Sequence, residues 1–223
     1  MKTRVPTISV GFVLSLPIYA LLLYSGNALA QANASNPSRH EFHWDWHAWQ
    51  ELSGKDWLEN ARIRKVEREA IAVAITEELK SNKEDFDLDT EENLREAVMK
   101  TRVKMIDLNG DGVPEVVAQA FAGCSATGNC PFWIFRKTGK HYEPLLETYG
   151  QTFTIQKHST RGYKDIVVSV HGSATQFGLT DYHYSDGQYV AAGCYNGEWE
   201  VLEGNEVREL KVPRITPYAC SNY

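Results

Sequence analysis

Beyond residue 30 the sequence has no apolar stretch long enough to cross a bilayer, which takes about 20 consecutive apolar residues. Basic charge is not in excess either. Lysine and arginine number 23 against 29 acidic residues, a formal net charge of -6, and that balance lacks the electrostatic footprint of a nucleic-acid binder. Cysteine is scarce, four in 223 residues, and no pair has the C-x-x-C spacing of a zinc knuckle. No G-x-S-x-G elbow is present to hold a catalytic serine. Nor is there an internal repeat of the kind that builds a solenoid.

What is present begins with an export pattern. Lys2 and Arg4 precede an apolar run from Ile8 to Tyr24, and Ala28-Leu29-Ala30 supplies a small-x-small cleavage site. The expectation is a signal peptide over 1–30, removed to leave a chain starting at Gln31 with a net charge of about -8. Retention as a membrane anchor is the alternative, because the run approaches spanning length. Residues 31–55 read as a flexible arm rich in aromatics, and 56–223 as one domain, enough for a hydrophobic core. In an exported chain the four cysteines imply two disulfides. Of three pairings, Cys124–Cys130 with Cys194–Cys220 is favoured, since "CSATGNC" is a short polar loop whose ends meet at small entropic cost.

From 56 to 80, Ile63, Val66, Ala70, Val73, Ala74 and Leu79 fall near helical spacing among charged residues, which predicts an amphipathic helix. A second helix is expected over 90–100, capped by Asp89 or Thr90, with Glu91 and Glu92 in its first turn. After Thr101 the texture is β: runs of Val, Ile, Phe, Tyr and Trp between "NGDG", "KTGK", "SDGQ" and "YNGE" turns. Strands are expected at 102–107, 114–121, 131–137, 141–147, 164–171, 179–184, 188–192 and 198–202. The predicted class is α+β, a mostly antiparallel meander with two N-terminal helices on one face.

The stretch "DLNGDGVPEVV", 107–117, places Asp107, Asn109 and Asp111 at alternate positions before Gly112. Asp107, Asn109 and Asp111 can offer side-chain oxygens to a calcium ion, Val113 its carbonyl, and Glu115 a carboxylate directly or through water. It is not an EF-hand, because the twelfth position is Ala118 and both flanks read as strands. The alternative is a hairpin loop whose side chains bond its own backbone. The stretch resembles the strand-loop-strand calcium loops of FG-GAP and VCBS-type repeats, with Glu115 where aspartate is more common. That resemblance implies one bound calcium. The motif occurs once, over 105–119, so the loop alone is carried over. More widely, "CSATGNCPFWIFRK" through "VVSVHGSATQFGLTDYHYSDGQYVAAGCY" is similar to an uncharacterised family of bacterial secreted proteins with such a loop before a Cys-bracketed hairpin, a resemblance that implies no activity.

Two further groups are candidates. "HEFHWDWHAW" sets His40, His43 and His47 on one face if helical, a geometry that suits zinc or copper; otherwise Trp44, Trp46 and Trp49 dock while the histidines stay solvated. His171 and Ser173, with Asp165 and Asp181 nearby in sequence, raise a hydrolase reading that the missing elbow weakens. The leading expectation is therefore a secreted or periplasmic binding or interaction protein with a possible structural calcium and no catalytic residues assigned. Its partner would be a protein or an envelope ligand, with neither nucleic acid nor membrane involved after cleavage. An envelope-acting hydrolase is the alternative. A cleft joining polar groups would favour the enzyme, an exposed aromatic patch the binding module.

Overall fold

Ile71, Ala74, Ile75 and Leu79 recur at helical spacing and are all buried, which gives α1, Lys65–Ser81, a single apolar stripe. Glu67 in its first turn and Lys80 in its last suit the helix dipole. The helix starts nine residues later than the pattern predicted. Residues 56–58 are held elsewhere: Val103 N–H donates to the Asp56 carbonyl, Leu58 N–H donates to the Thr101 carbonyl, and Trp57 bridges to Arg102. Backbone donors engaged with a strand cannot close helical turns. Helix α2, Glu91–Met99, has Thr90 as its cap, the hydroxyl accepting from Asn93 N–H at 3.0 Å.

The computed structural model describes Leu52 and residues 56–81, 86, 88–204 and 206–220, all of one compact unit. The expected signal peptide over 1–30, the arm apart from Leu52, and the candidate ligands His40, His43 and His47 lie outside the described residues. No helix among the described residues is long and apolar enough to cross a membrane.

Among the described residues nine strands follow the helices: β1 Arg102–Ile106, β2 Glu115–Gln119, β3 Cys130–Thr138, β4 His141–Gly150, β5 Thr152–Thr160, β6 Tyr163–His171, β7 Gln176–Ser185, β8 Gln188–Glu203 and β9 Glu206–Tyr218. They form two antiparallel meanders rather than one, in the orders β1-β2-β3-β4 and β5-β6-β7-β8-β9. Over the described residues the class is β-dominant, with two helices.

Strand β3 shows why two cores exist. Its side chains alternate, and both sets are apolar: Trp133 and Phe135 share a core with Ile71, Ile75, Leu79, Val116 and Ala118, while Phe132 and Ile134 share another with Leu146, Phe153, Ile166 and Val168. The second core joins the two sheets, and the rings of Phe132 and Phe153 meet there at 5.5 Å.

Three expectations are corrected. The "YNGE" segment is not a turn: Tyr195 and Gly197 pair with Leu179 and Phe177 on one side and with Pro217 and Ile215 on the other, so β8 runs unbroken through it. Strands β5 and β9 went unread, because β5 is rich in Thr, Gln, Lys and His, and β9 carries Pro213 and Pro217. Prolines are tolerated in β9 because it is the last strand of its sheet and pairs with β8 alone among the described residues.

Candidate functional site

Strand β1 begins with Arg102, opposite Gln119 at the end of β2. Its guanidinium lies 5.1 Å from the Trp57 ring centroid and 5.5 Å from that of Phe121, and the two rings meet edge to face at 6.1 Å. Phe121 is otherwise exposed. Next comes the loop closed by the Cys124–Cys130 disulfide, stiffened by Ser125 N–H to the Asn129 carbonyl at 2.8 Å and Gly128 N–H to the Ser125 carbonyl at 2.9 Å. Asn129 fastens the loop to the end of β6: its Oδ1 accepts from His171 N–H at 2.6 Å and its Nδ2 donates to the His171 carbonyl at 2.8 Å. Between the stapled loop and the Arg102 end of the sheet lies a groove of about 530 Å³, bounded by Leu52, Phe121, Ser125, Ala126, Gly128 and Gln151.

Both expected disulfides form, the second joining Cys194 in β8 to Cys220 beyond β9. They suit an oxidising, non-cytoplasmic compartment.

The 107–115 loop connects β1 to β2 and satisfies itself. Asp107 accepts Gly110 N–H at 2.7 Å on Oδ1 and Gly112 N–H at 3.0 Å on Oδ2. Asp111 Oδ1 accepts Val113 N–H at 2.6 Å, and the buried Glu115 accepts Leu108 N–H at 2.8 Å. Gly110 and Gly112 take positive φ, +75° and +83°, as the tight turn requires. Asn109 Oδ1 accepts Asp111 N–H, which fixes the amide so that Nδ2 faces Asp111 Oδ2 at 2.9 Å, Glu115 Oε1 at 3.4 Å and the Tyr163 hydroxyl at 3.1 Å. The amide's positive edge thus stands where a cation between those carboxylates would stand. Burial, with Asp111 and Asp107 adding to it, raises the Glu115 pKa. Among the described residues no group of three or more His, Cys, Asp or Glu side chains is gathered so as to hold a metal ion. Val113 is exposed and borders a second groove, beside Arg64, Glu67 and Tyr142.

His171 and Ser173 do not form a dyad. The Ser173 hydroxyl accepts Thr175 N–H within the β6–β7 turn, and the His171 backbone is held by Asn129. Asp165 and Asp181 do gather around imidazoles, those of His158 and His183. His158 Nδ1 lies 3.2 Å from Asp165 Oδ2, and His183 Nε2 lies 3.6 Å from that oxygen and 3.1 Å from Asp181 Oδ2. Thr160 donates to Asp165 Oδ2 at 3.1 Å. The second oxygen of each aspartate is buried without a hydrogen-bond partner. Burial raises the Asp181 pKa against the pull of His183. Neither of the two grooves described is lined by any of these four residues.

Sequence reasoning missed Arg102, Trp57 and Phe121, whose meeting depends on a bridge between distant segments. For Asp181 and His183 a signal existed: positions i and i+2 of one strand share a face. His158 and Asp165 come together only through β5, the strand that went unread. No family model, curated protein or solved structure matches the chain.

Proposed function

We propose that the protein is an exported binding module, periplasmic or extracellular, that takes its ligand in the groove between the Cys124–Cys130 loop and the Arg102 end of the first sheet. One observation carries this reading: an exposed aromatic ring and a stacked guanidinium wall a cavity that a disulfide-closed, hydrogen-bonded loop keeps open. A concave site that sets polar side chains such as Arg102, Gln119 and Gln151 beside apolar ones can fix the orientation of a small ligand. Rigidity also reduces the ordering cost of binding.

The 107–115 loop has a structural place in this proposal. Its carboxylates favour a calcium ion through Asp107, Asn109, Asp111, the Val113 carbonyl and Glu115, and entry requires the Asn109 amide to leave its present hydrogen bonds.

The test is a fragment screen by NMR on the disulfide-intact protein. Fragments that bind should shift the backbone amides of Phe121, Ser125, Gly128 and Gln151 together, and Ala126→Trp, which fills the groove, should remove the shifts without lowering the melting temperature. Hits scattered over the surface, with the groove amides silent, would overturn the proposal.

A further inference from the structure

We infer that the groove seats a carboxylate on Arg102, in a ligand that carries an apolar or aromatic group beside that carboxylate; this rests on the groove being the binding site. Arg102 is the sole charged side chain among the described residues that line it. None of the ion pairs among the described residues involves it, and its Nε is buried without a hydrogen-bond partner. No hydrogen bond among the described residues engages this guanidinium, and with Nε too buried for a ligand to reach, the terminal nitrogens are the donors it can offer an acceptor. Trp57 and Phe121 hold it by cation–π contact, at 5.1 and 5.5 Å, so its planar fork is oriented before any ligand arrives.

Charge and donor count select the anion. A carboxylate carries one negative charge and matches the fork with two parallel hydrogen bonds. A phosphate dianion calls for a second cation, and Arg102 is the one cation among the described residues of the lining. Gln119 Nε2 is already committed to the carbonyls of Gly150 and Gln151, at 2.9 and 3.3 Å. The Ser125 hydroxyl already accepts Asn129 N–H at 3.1 Å and pairs with Thr127 Oγ1 at 2.9 Å. The remaining surface is that of Leu52, Phe121, Ala126, Gly128, Gln151 and the disulfide, where Leu52 and Phe121 give an apolar or aromatic body something to lie against next to the carboxylate.

Benzoate, its neutral isostere benzamide, and inorganic phosphate are the probes, titrated separately into the disulfide-intact protein while backbone amide shifts are followed by NMR. Benzoate should move Phe121, Ser125 and Gly128 with a dissociation constant on the order of millimolar, as befits a fragment of its size. Benzamide and phosphate should bind at least about tenfold more weakly, since benzamide loses the charge and phosphate, though it can also meet the fork, lacks the apolar body and brings a second negative charge with no partner. Arg102→Gln should weaken benzoate about tenfold or more, and Arg102→Lys should recover part of it, because the charge returns without the fork. The melting temperature of each variant separates lost binding from lost folding. Equal shifts from benzoate and benzamide would overturn the carboxylate assignment and leave the groove as the binding site. Tighter phosphate binding would replace the carboxylate with a different anion and overturn it too. Silence of the groove amides to all three probes, together with an empty fragment screen, would remove both readings.

Discussion

Asp181 shows how a single buried group ties stability to pH. Its carboxyl faces His183 on its own strand, His158 and Asp165 from β5 and β6, and Tyr195 from β8, and burial holds its pKa above the ordinary 3.8. A raised acid pKa means that the folded state keeps a proton the unfolded chain has released. Stability from this residue is therefore fully present below the ordinary value and declines as pH rises through the folded one. Asp181→Asn removes that decline. Its stability relative to wild type, measured by denaturant midpoints, should increase as pH rises above the ordinary value of 3.8; parallel curves would sink the argument. The 107–115 loop supports a second prediction at this scale. With about five protein ligands, calcium affinity should be modest, about 10⁻⁴ to 10⁻³ M. A tenfold excess over Kd then stabilises the fold by about 1.4 kcal/mol and raises the melting temperature, magnesium much less so. Asp111→Ala should abolish the shift. A melting curve that millimolar calcium leaves unmoved would mean that the loop's own hydrogen bonds are its whole purpose.

At the scale of elements, strand β8 depends on a residue that looks like a turn former. Gly197 pairs with Phe177 across β7 and β8, and a Cβ added at Gly197 would meet the Phe177 ring at 2.0 Å. The ring lies where the missing side chain would be, so the glycine is a packing partner rather than a break. Gly197→Ala should destabilise by about 1–3 kcal/mol, the range of overpacked cores. Adding Phe177→Leu should recover part of that loss, because the two changes share one contact. Strictly additive effects of the two substitutions, read from urea denaturation, would refute the contact as the cause. Strand β3 makes the complementary point. Its run "CPFWIF" is apolar at every position because both faces are buried, a pattern that marks a strand here but whose second core only the two sheets reveal.

For the whole molecule the disulfides set the terms of folding. The native mass should be lower than that of the reduced chain by four hydrogens, with peptides linking Cys124 to Cys130 and Cys194 to Cys220. The bridges span 6 and 26 residues of sequence. In the chain-entropy model, opening them singly by paired Cys→Ser changes should cost about 2.5 and about 3.5 kcal/mol respectively. Loss of the larger one should also release the last strand, seen as faster amide exchange in β9, since Cys220 ties the end of the chain back to β8. Equal costs with unchanged exchange in β9 would contradict this.

Local chemistry accounts for what was legible in the sequence alone. Apolar periodicity located α1, though with a start nine residues early and with Val66 and Val73, which are exposed, on its stripe; Asp89 or Thr90 as cap with Glu91 and Glu92 located α2; the Gly-containing turns at 109–112, 137–140 and 185–188 placed three hairpins; and the short Cys124–Cys130 spacing foretold its own bridge. Each of these is decided by neighbours within a few residues, where steric and hydrogen-bonding preferences operate without help from the rest of the fold. Only the tertiary structure decided that the meander divides into two sheets at Gln151. It alone showed that Asn109 turns its amide into the carboxylates of its own loop, and that His183 rather than His171 meets the aspartates. It alone brought Arg102 between Trp57 and Phe121. The division into two sheets, the meeting of Arg102 with Trp57 and Phe121, and the approach of His158 and His183 to Asp165 join segments far apart in the chain, where burial and charge act at places that no single stretch of sequence contains; the Asn109 amide is set within its own loop, and only its contact with Tyr163 is distant.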